Sequence, residues 1–388
     1  MVDKMSFNGS TDDGSVVHKN WTQCDFDEFN VTSIDQPEAP FYLVVTATVC
    51  YVIIFVLGVS GNVIVVTVLS LVRAMKTTMN MYLVNLCVAD LLVLIMCMPT
   101  ALVEIFTMEE WLFGEVMCKL VPFLEHTVSN ASVLTILAIS VERYRVIRRP
   151  FLGITECYTK VVKVLVVIWS VSVIASFPWF YIAIYRSSML MDGTPIMVCR
   201  NPIRLYWQQV YITGLTLLFY LVPCLILLGI YIEICRELIR TNKDHGARFG
   251  QSEVGRIAFY SERKRSQRQV LNLIGSIVFV FFLCHLPLRV AGLWFTFEDK
   301  HVIYSLGLEM YLNILFSTRI IFYLNHALNP IVYNFVSRKF RNALKSVCLN
   351  DWNGSDRKRS VTKRMLVKTS SNRVCVRRNV IYCEDNHS

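Results

Sequence analysis

Residues 118–144 read CKLVPFLEHTVSNASVLTILAISVERY, and this apolar stretch decides the fold. Spacings of three and four residues predict one continuous stripe on an α-helix, made of Glu125, Ser129, Ser132, Ile136, Ile139 and Arg143. The ends of the stripe lie roughly 27 Å apart, close to the hydrocarbon thickness of a bilayer. Ionisable groups on a spanning helix are costly unless they face a bundle interior or a wet cavity. The stripe therefore predicts a helix that joins an outer pocket to an inner docking surface.

The composition of the whole chain agrees with a membrane setting. Of 388 residues, 54% are hydrophobic and 18% charged, and the mean hydropathy is +0.46, which excludes a disordered or an ordinary soluble protein. Seven apolar segments are long enough to span a bilayer: 41–71, 79–106, 116–146, 161–185, 206–238, 270–297 and 307–336. No repeat of 20 to 50 residues is apparent, which argues against an inverted-repeat transporter. The predicted fold is all-α, a seven-transmembrane helix bundle.

The cations of the chain predict its orientation in the membrane. They follow the first, third and fifth helices, at Arg73, Lys76, Arg145, Arg148, Arg149, Arg240, Lys243, Arg248, Arg256, Arg263, Lys264 and Arg265, and recur in the tail. The alternate loops carry fewer cations and include acidic stretches, so the positive-inside rule places the amino terminus outside and the tail in the cytoplasm. The net charge of +10 is thus a topology signal, and we expect no nucleic-acid partner.

The segments outside the bundle have their own signals. Residues 1–40 are predicted to be an extracellular amino terminus, 41–336 the bundle, 337–347 a short amphipathic eighth helix and 348–388 a cytoplasmic tail. Three sequons at Asn8, Asn20 and Asn30 predict glycosylation of the outer segment. Cys348, just after the amphipathic run, is a candidate for palmitoylation.

Two of the thirteen cysteines stand apart from the others. Cys118 begins the third helix, and Cys199 lies between the fourth and the fifth, so both fall on the predicted oxidising side. A bridge between them would tie the loop to the helix as a lid. Most of the remaining cysteines are scattered in helices, where small buried hydrophobes are the ordinary interpretation.

Polar side chains at mid-membrane depth predict a buried network, because unsatisfied polar groups cost several kcal/mol there. An ionised Asp90 needs a cation, and Ser132, Asn325 and Asn329 supply oxygen ligands of the kind that a sodium ion takes. A protonated Asp90 that is only hydrogen-bonded is the alternative. Apart from this possible sodium ion, no cofactor is predicted. Prolines inside four spans predict kinks, at Pro178, Pro223, Pro287 and Pro330.

The ordered motifs resemble the signature set of rhodopsin-family (class A) G-protein-coupled receptors. They are Asn62, Asp90, Cys118, Glu142-Arg143-Tyr144, Trp169, Pro223 with Tyr231, Cys284-His285-Leu286-Pro287, and Asn329-Pro330-Ile331-Val332-Tyr333. The resemblance implies a plasma-membrane receptor and no enzyme. It implies that Arg143 forms an ion pair with a neighbouring acid in the resting state and contacts the G protein in the active state. It also implies that the remaining switch residues rearrange: Glu142, Tyr144, Tyr231, His285, Pro287, Asn329, Pro330 and Tyr333.

Shorter stretches resemble two related groups of peptide receptors. Residues 102–104, 117–119 and 131–144 are similar to invertebrate ecdysis-triggering-hormone receptors. Residues 130–132, 287–289, 319–320 and 323–325 are similar to thyrotropin-releasing-hormone receptors. The resemblance implies an amidated peptide ligand, a Gq-type G protein with phospholipase C and calcium as output, and arrestin as a partner. The basic loop and tail also suit contact with membrane lipids.

The predicted peptide-binding residues are Glu104, Glu125, His126, Asn130, Arg289 and Arg319. Arg289 and Arg319 are predicted to face one cavity, with the two glutamates or a ligand carbonyl as partners. Three histidines depart from the family pattern: His126 replaces an aromatic pocket residue, His285 a tryptophan, and His326 a small hydroxyl residue beside the ion site. Two alternatives remain open, namely a neuromedin-, motilin- or ghrelin-like peptide receptor and, in another class, a membrane transporter or channel.

Overall fold

The computed structural model describes residues 39–72, 75–107, 110–148, 158–189, 194–248 and 254–350, without the side chains of 238–267, 300, 304 and 348–350. The elements are α1 Phe41–Leu71, α2 Thr78–Met96, α3 Met98–Thr107, α4 Gly114–Arg148, α5 Tyr158–Ser176, α6 Trp179–Ile182, β1 Ile184–Met189, β2 Pro195–Arg200, α7 Tyr206–Thr216, α8 Val222–Arg248, α9 Val254–Phe297, α10 Lys300–Ser305, α11 Gly307–Val336 and α12 Arg338–Asn350. A π-helical turn, Leu217–Leu221, joins α7 to α8.

Seven spanning helices form the bundle in the described part of the chain. Six are long and apolar enough to cross a membrane within the described residues: α1, α2 with α3, α4, α5 with α6, the run Tyr206–Glu237, and Arg268–Phe297 of α9. The seventh is α11, a helix of 30 residues that packs against α1, α2 and α9. Buried polar residues such as Asn325, His326 and Asn329 make it less apolar than the others. The seven-helix bundle predicted from the sequence is confirmed.

The helix that contains the opening stretch, α4, is central to the bundle. It contacts α2, α5, α6, α8, α9 and both strands. Along its predicted stripe, Ser129, Ser132, Ile136 and Ile139 are all buried. By contrast, the outer helices expose large apolar side chains such as Ile174 at 72%. The bundle therefore buries its polar stripe and turns an apolar surface outward, as a lipid environment requires.

The prolines interrupt the helices in different ways. Pro178 follows the end of α5 and is the N-cap residue of α6, and the π-helical turn ends two residues before Pro223. Pro287 and Pro330 lie inside the continuous helices α9 and α11. One further break, between α2 and α3, was not expected. It comes just before Pro99, which has no N–H to donate and whose ring would clash with the preceding turn of a continuous helix.

The segment after α6 corrects the sequence prediction. The fourth helix was expected to run to residue 185 in an all-α fold, but β1 and β2 form an antiparallel hairpin in which Tyr185 pairs with Cys199. Along β2, Ile196 and Val198 are buried, so the apolar residues alternate as they do in a strand. The sequence predicts a loop for residues 186–205, because strands of six residues are too short for their period to be recognised with certainty. The predicted helical bundle holds, and the connection between its fourth and fifth spans adds this hairpin.

The predicted disulfide ties the hairpin to α4. Cys118 and Cys199 are bonded, with their Cα atoms 5.6 Å apart. The backbone N–H of Trp111, just before α4, also donates to the carbonyl of Met197 at 2.7 Å. We call this end of the bundle the hairpin end, and the opposite end, where Glu142 lies beside Arg143, the Arg143 end.

The amphipathic helix predicted at 337–347 is present as α12, which ends three residues later than expected. The hydroxyl of Ser337 accepts a hydrogen bond from the backbone N–H of Phe340 at 3.2 Å, which caps the start of the helix. Arg341 donates to the carbonyl oxygens of Asn334 at 2.8 Å and Phe335 at 2.7 Å. These bonds satisfy carbonyls at the end of α11 and fix the turn between the two helices.

The predicted covalent modifications lie outside the described parts. Asn8, Asn20 and Asn30 precede the described residues, and the tail from residue 351 follows them. Cys348 falls within α12, but its side chain is not described. Glycosylation and palmitoylation stay predictions.

Glycine allows α1 to approach α11 closely. A Cβ atom added at Gly61 would lie 2.8 Å from Cβ and 3.0 Å from Cγ of Pro330, and a proline ring cannot rotate away. Gly229, in α8, has no atom within 4 Å of an added Cβ. The two glycines therefore form a matched pair for testing the packing.

We predict that Gly61→Ala lowers the melting temperature of the purified protein by a few degrees, because overpacking a close helix contact costs about 1–3 kcal/mol. Gly229→Ala should leave it unchanged or raise it, since alanine favours helix. Thermal unfolding in detergent measures both variants. Equal melting temperatures for Gly61→Ala and the unmodified protein would contradict the close α1–α11 contact.

Candidate functional site

A cavity of about 200 Å³ lies between α4, α6, α7, α9 and α11, towards the hairpin end. Four of the predicted peptide-binding residues line it: Glu125, His126, Arg289 and Arg319. The wall is completed by Pro122, Ser129, Trp179, Asn201, Ile203, Ile212, Thr216, His285, Leu288, Gly292, Leu293 and Phe322. The two arginines therefore face one cavity, as the sequence predicted.

The first arginine, Arg319, is already paired. Its Nη1 lies 2.5 Å from Oε2 of Glu104, so the ion pair links α11 to α3. The side chains are 22% and 31% exposed, so solvent weakens the attraction less than at an open surface. Glu104 does not line the cavity but neutralises the arginine that does.

Glu125 has a different partner from the one expected. The hydroxyl of Tyr323 donates to its Oε1 at 2.5 Å, whereas the sequence suggested an arginine. The ring of Tyr323 packs edge-on against Tyr51 of α1, with 5.6 Å between ring centroids. Tyr323 follows Arg319 by four residues, so the two share a helix face. That spacing is the signal by which Tyr323 could have been found.

The second arginine, Arg289, is unpaired. Within the described residues, its guanidinium makes no hydrogen bond and no ion pair. The indole nitrogen of Trp179 is likewise buried without an acceptor in that part of the chain. A buried donor that lacks an acceptor is costly, which applies to the indole of Trp179, and the partly buried guanidinium of Arg289 lines the cavity as a cation without a partner among the described residues. Both groups favour a ligand that brings an acceptor.

His285 offers the opposite kind of group. Its Nδ1 lies 2.8 Å from the carbonyl oxygen of Phe281, and because a carbonyl can only accept, Nδ1 carries the proton. In the neutral ring, Nε2 is then an acceptor, and it has no hydrogen-bond partner among the described residues. His285, Trp179 and Arg289 all line the cavity, so an unpaired acceptor and unpaired donors lie together in its wall.

His126 and Asn130, both predicted to bind ligand, differ in position. The imidazole of His126 lies flat on Trp179, with 4.1 Å between ring centroids and 9° between the planes, and forms part of the wall. Asn130 is buried away from the cavity, where its side chain donates to the hydroxyl of Ser176 at 3.1 Å. The structure therefore corrects the prediction for Asn130, whose amide holds α4 to α5.

A second polar cluster surrounds Asp90. The Oδ1 atom of Asp90 lies 2.7 Å from Nδ1 of His326, and Oδ2 accepts a hydrogen bond from Nδ2 of Asn329 at 2.8 Å. Of the predicted ion ligands, Asn329 therefore contacts Asp90. In the described parts, no hydrogen bond joins Ser132 or Asn325 to that carboxylate. His326, named in the sequence only as a departure from the pattern, is the main partner.

At the Arg143 end, Glu142 has two neighbours. Its Oε1 accepts a hydrogen bond from the hydroxyl of Thr78 at 2.9 Å, and Nη2 of Arg143 lies 4.0 Å from the same oxygen. Tyr144 contacts Arg148 through its hydroxyl. The predicted ion pair is therefore present but long, and Glu142 is shared with α2.

The remaining switch residues lie on the helices that surround α4. Tyr231 is on α8, His285 and Pro287 are on α9, and Asn329, Pro330 and Tyr333 are on α11. Tyr333 is buried, and Tyr231 packs against the same apolar cluster. These positions join the cavity to the Arg143 end.

These features define a membrane receptor with seven spanning helices, and comparison with known proteins agrees. The sequence model of the family "7 transmembrane receptor (rhodopsin family)" matches residues 61–333. Growth hormone secretagogue receptor type 1 of Rattus norvegicus is 33% identical over 314 residues, which cover 79% of this chain and 81% of that receptor. Neuromedin-U receptor 2 of Homo sapiens is 32% identical over 314 residues, or 79% and 72% of the two chains.

The chain belongs to the rhodopsin family of seven-transmembrane receptors. It is a multi-pass protein of the plasma membrane, and its family consists of receptors, not enzymes.

We predict that Glu104→Gln and Arg319→Gln each lower the melting temperature, because each leaves a partly buried charge without its partner, at a cost of about 1–2 kcal/mol. The double variant should be no worse than the weaker single variant, since the first change already breaks the pair. Thermal unfolding of the purified receptor provides the measurement.

The control is Glu115→Gln, which breaks the exposed ion pair between Lys119 and Glu115 at the same end of the bundle. It should change the melting temperature little, because exposed pairs contribute little. Strictly additive losses for Glu104→Gln and Arg319→Gln would contradict the pairing.

Proposed function

We propose that this chain is a peptide-activated receptor that binds its ligand in the cavity at the hairpin end and activates a G protein at the Arg143 end. Membership of the receptor family and the separation of the two sites along α4 support the proposal. The names of the relatives, receptors for growth hormone secretagogues and for neuromedin U, support a peptide ligand.

The main support for a peptide ligand is the set of unpaired groups in the cavity wall. Arg289 and the indole of Trp179 need an acceptor, and Nε2 of His285 needs a donor. A carboxamide has both, since its carbonyl oxygen accepts and its NH₂ group donates two hydrogen bonds. The ligand end that best fits this wall is therefore the amidated carboxyl terminus of a short peptide.

The stacked aromatic wall adds a second contact surface for such a peptide. His126 and Trp179 lie parallel, and Phe322 also lines the cavity. Apolar walls with a few placed polar groups are typical of pockets for small ligands. The amide would be oriented by the polar groups, and the neighbouring peptide side chains would contact the aromatic rings.

The orientation follows from the two ends. The disulfide between Cys118 and Cys199 suits an oxidising compartment, which favours the hairpin end as extracellular. The cation-rich loops after the first, third and fifth helices favour the Arg143 end as cytoplasmic. In this orientation the amino terminus is outside, and the carboxyl-terminal tail is inside.

The proposed output is a Gq-type G protein, with phospholipase C and calcium downstream. It is supported by the resemblance to thyrotropin-releasing-hormone and ecdysis-triggering-hormone receptors. Arg143 lies 4.0 Å from Glu142 at this end of the bundle, where an ion pair that can exchange partners would suit a coupling switch. Arrestin and anionic membrane lipids are further proposed partners of this basic surface.

The relatives favour one alternative ligand class. Similarity to neuromedin-U receptor 2 and growth hormone secretagogue receptor type 1 supports a neuromedin- or ghrelin-like peptide receptor. The two ligand classes share the receptor mechanism and differ in the peptide. A calcium assay against a panel of amidated neuropeptides, each paired with its free-acid form, distinguishes them.

We predict that Arg289→Lys reduces the potency of the active peptide by about tenfold or more, roughly 1.4 kcal/mol, because lysine keeps the charge but loses the planar fork that binds a carbonyl. Binding of labelled peptide and calcium release measure the effect. Arg186→Lys, the same change at an exposed position of the hairpin, should leave potency unchanged.

Two results would contradict this assignment. Unchanged potency in Arg289→Lys would remove the arginine from the peptide site. A free-acid peptide that is more potent than its amide would show that the cavity binds a carboxylate and that the amide assignment is wrong.

A further inference from the structure

The imidazole of His326 is fixed beside Asp90 from several sides. Its Nδ1 lies 2.7 Å from Oδ1 of Asp90, its ring meets the edge of Phe322 at 5.3 Å between centroids, and its backbone carbonyl accepts a hydrogen bond from Asn62 at 2.9 Å. His326 is 0% exposed, and Asp90 is 1% exposed. The ring therefore occupies a closed position between α1, α2 and α11.

This arrangement does not fit a sodium ion. A hard cation binds oxygen atoms, and at this carboxylate both oxygens face nitrogen groups. A carboxylate can only accept, so Asn329 presents its NH₂ group to Asp90, not its amide oxygen. Among the described residues, the other two expected ligands, Ser132 and Asn325, make no hydrogen bond to this carboxylate. N–H donors thus occupy the positions around the carboxylate in which a sodium ion would need oxygen ligands.

We propose that the imidazole of His326 takes the position of a sodium ion beside Asp90, so that sodium does not bind at this site. The buried carboxylate is satisfied by N–H donors from its own bundle. Removal of the imidazole would vacate one carboxylate oxygen and bring the site closer to an oxygen-ligand set. The inference is independent of the identity of the peptide and of the G protein.

The test uses sodium chloride alone as the probe on the full-length receptor purified in detergent. Melting temperatures are measured in sodium chloride and in choline chloride of equal ionic strength, since an ion that binds the folded state raises the melting temperature. The unmodified receptor should melt at the same temperature in both salts. A sodium-specific rise that Asp90→Asn removes would overturn the proposal.

The gain-of-function variant is His326→Ser, which replaces the ring with a small hydroxyl group. It should acquire a sodium-specific rise of about 2 °C or more, and the double variant Asp90→Asn/His326→Ser should lose it again. A folded His326→Ser receptor with equal melting temperatures in the two salts would show that the imidazole is not what excludes sodium. If His326→Ser does not fold, the unmodified receptor alone decides: equal melting temperatures support the proposal, and a sodium-specific rise overturns it.

Discussion

A polar side chain in a lipid-embedded helix must find its partner inside the bundle, and this constraint shapes the whole receptor. Three buried or partly buried contacts satisfy it on one side: Asp90 with His326, Glu104 with Arg319, and Glu125 with Tyr323. Together they tie α2, α3 and α4 to α11. The side formed by α6, α7 and α9 relies on aromatic packing and leaves Arg289 without a protein partner among the described residues. On one side of the bundle the polar groups thus have protein partners, and on the other side a ligand can supply the missing partner.

That asymmetry connects the cavity to the opposite end. Arg289 lies two residues after Pro287, where the missing N–H leaves α9 without one helical hydrogen bond. Before that point, the hydroxyl of Tyr220 donates to the carbonyl of Phe282 at 2.9 Å and links α9 to the π-helical turn. A ligand held by Arg289 would act on α9 beside its weakest point. It could favour one arrangement of the helices only to the extent that it binds that arrangement better.

The sequence predicted most of the fold because apolar length and buried polar spacing are local signals. The seven spans follow from apolar length, α12 from its amphipathic run, and the disulfide from two cysteines on the predicted oxidising side. The hairpin was missed because its strands are only six residues long and the first contains polar residues typical of a loop. The break near Pro99 was missed because that proline was read as part of a longer apolar span. At the site, the positions of the two facing arginines were predictable from their distance to prolines. The hydrogen-bond partners of the neighbouring polar residues were not. Tyr323, not an arginine, satisfies Glu125, and Asn130 turns towards α5. Such choices depend on helix rotation, which only packing sets.

The central claim is that α4 carries two separable functions, peptide binding at one end and coupling at the other. The most direct test is Arg143→Ala, examined in the same cells for binding of the labelled active peptide and for calcium release. Because Arg143 lies at the far end of α4 from the cavity, binding affinity should stay near its unmodified value while calcium release is lost. Equal loss of peptide binding and calcium release would show that Arg143 supports the fold as a whole and would contradict the separation of the two ends.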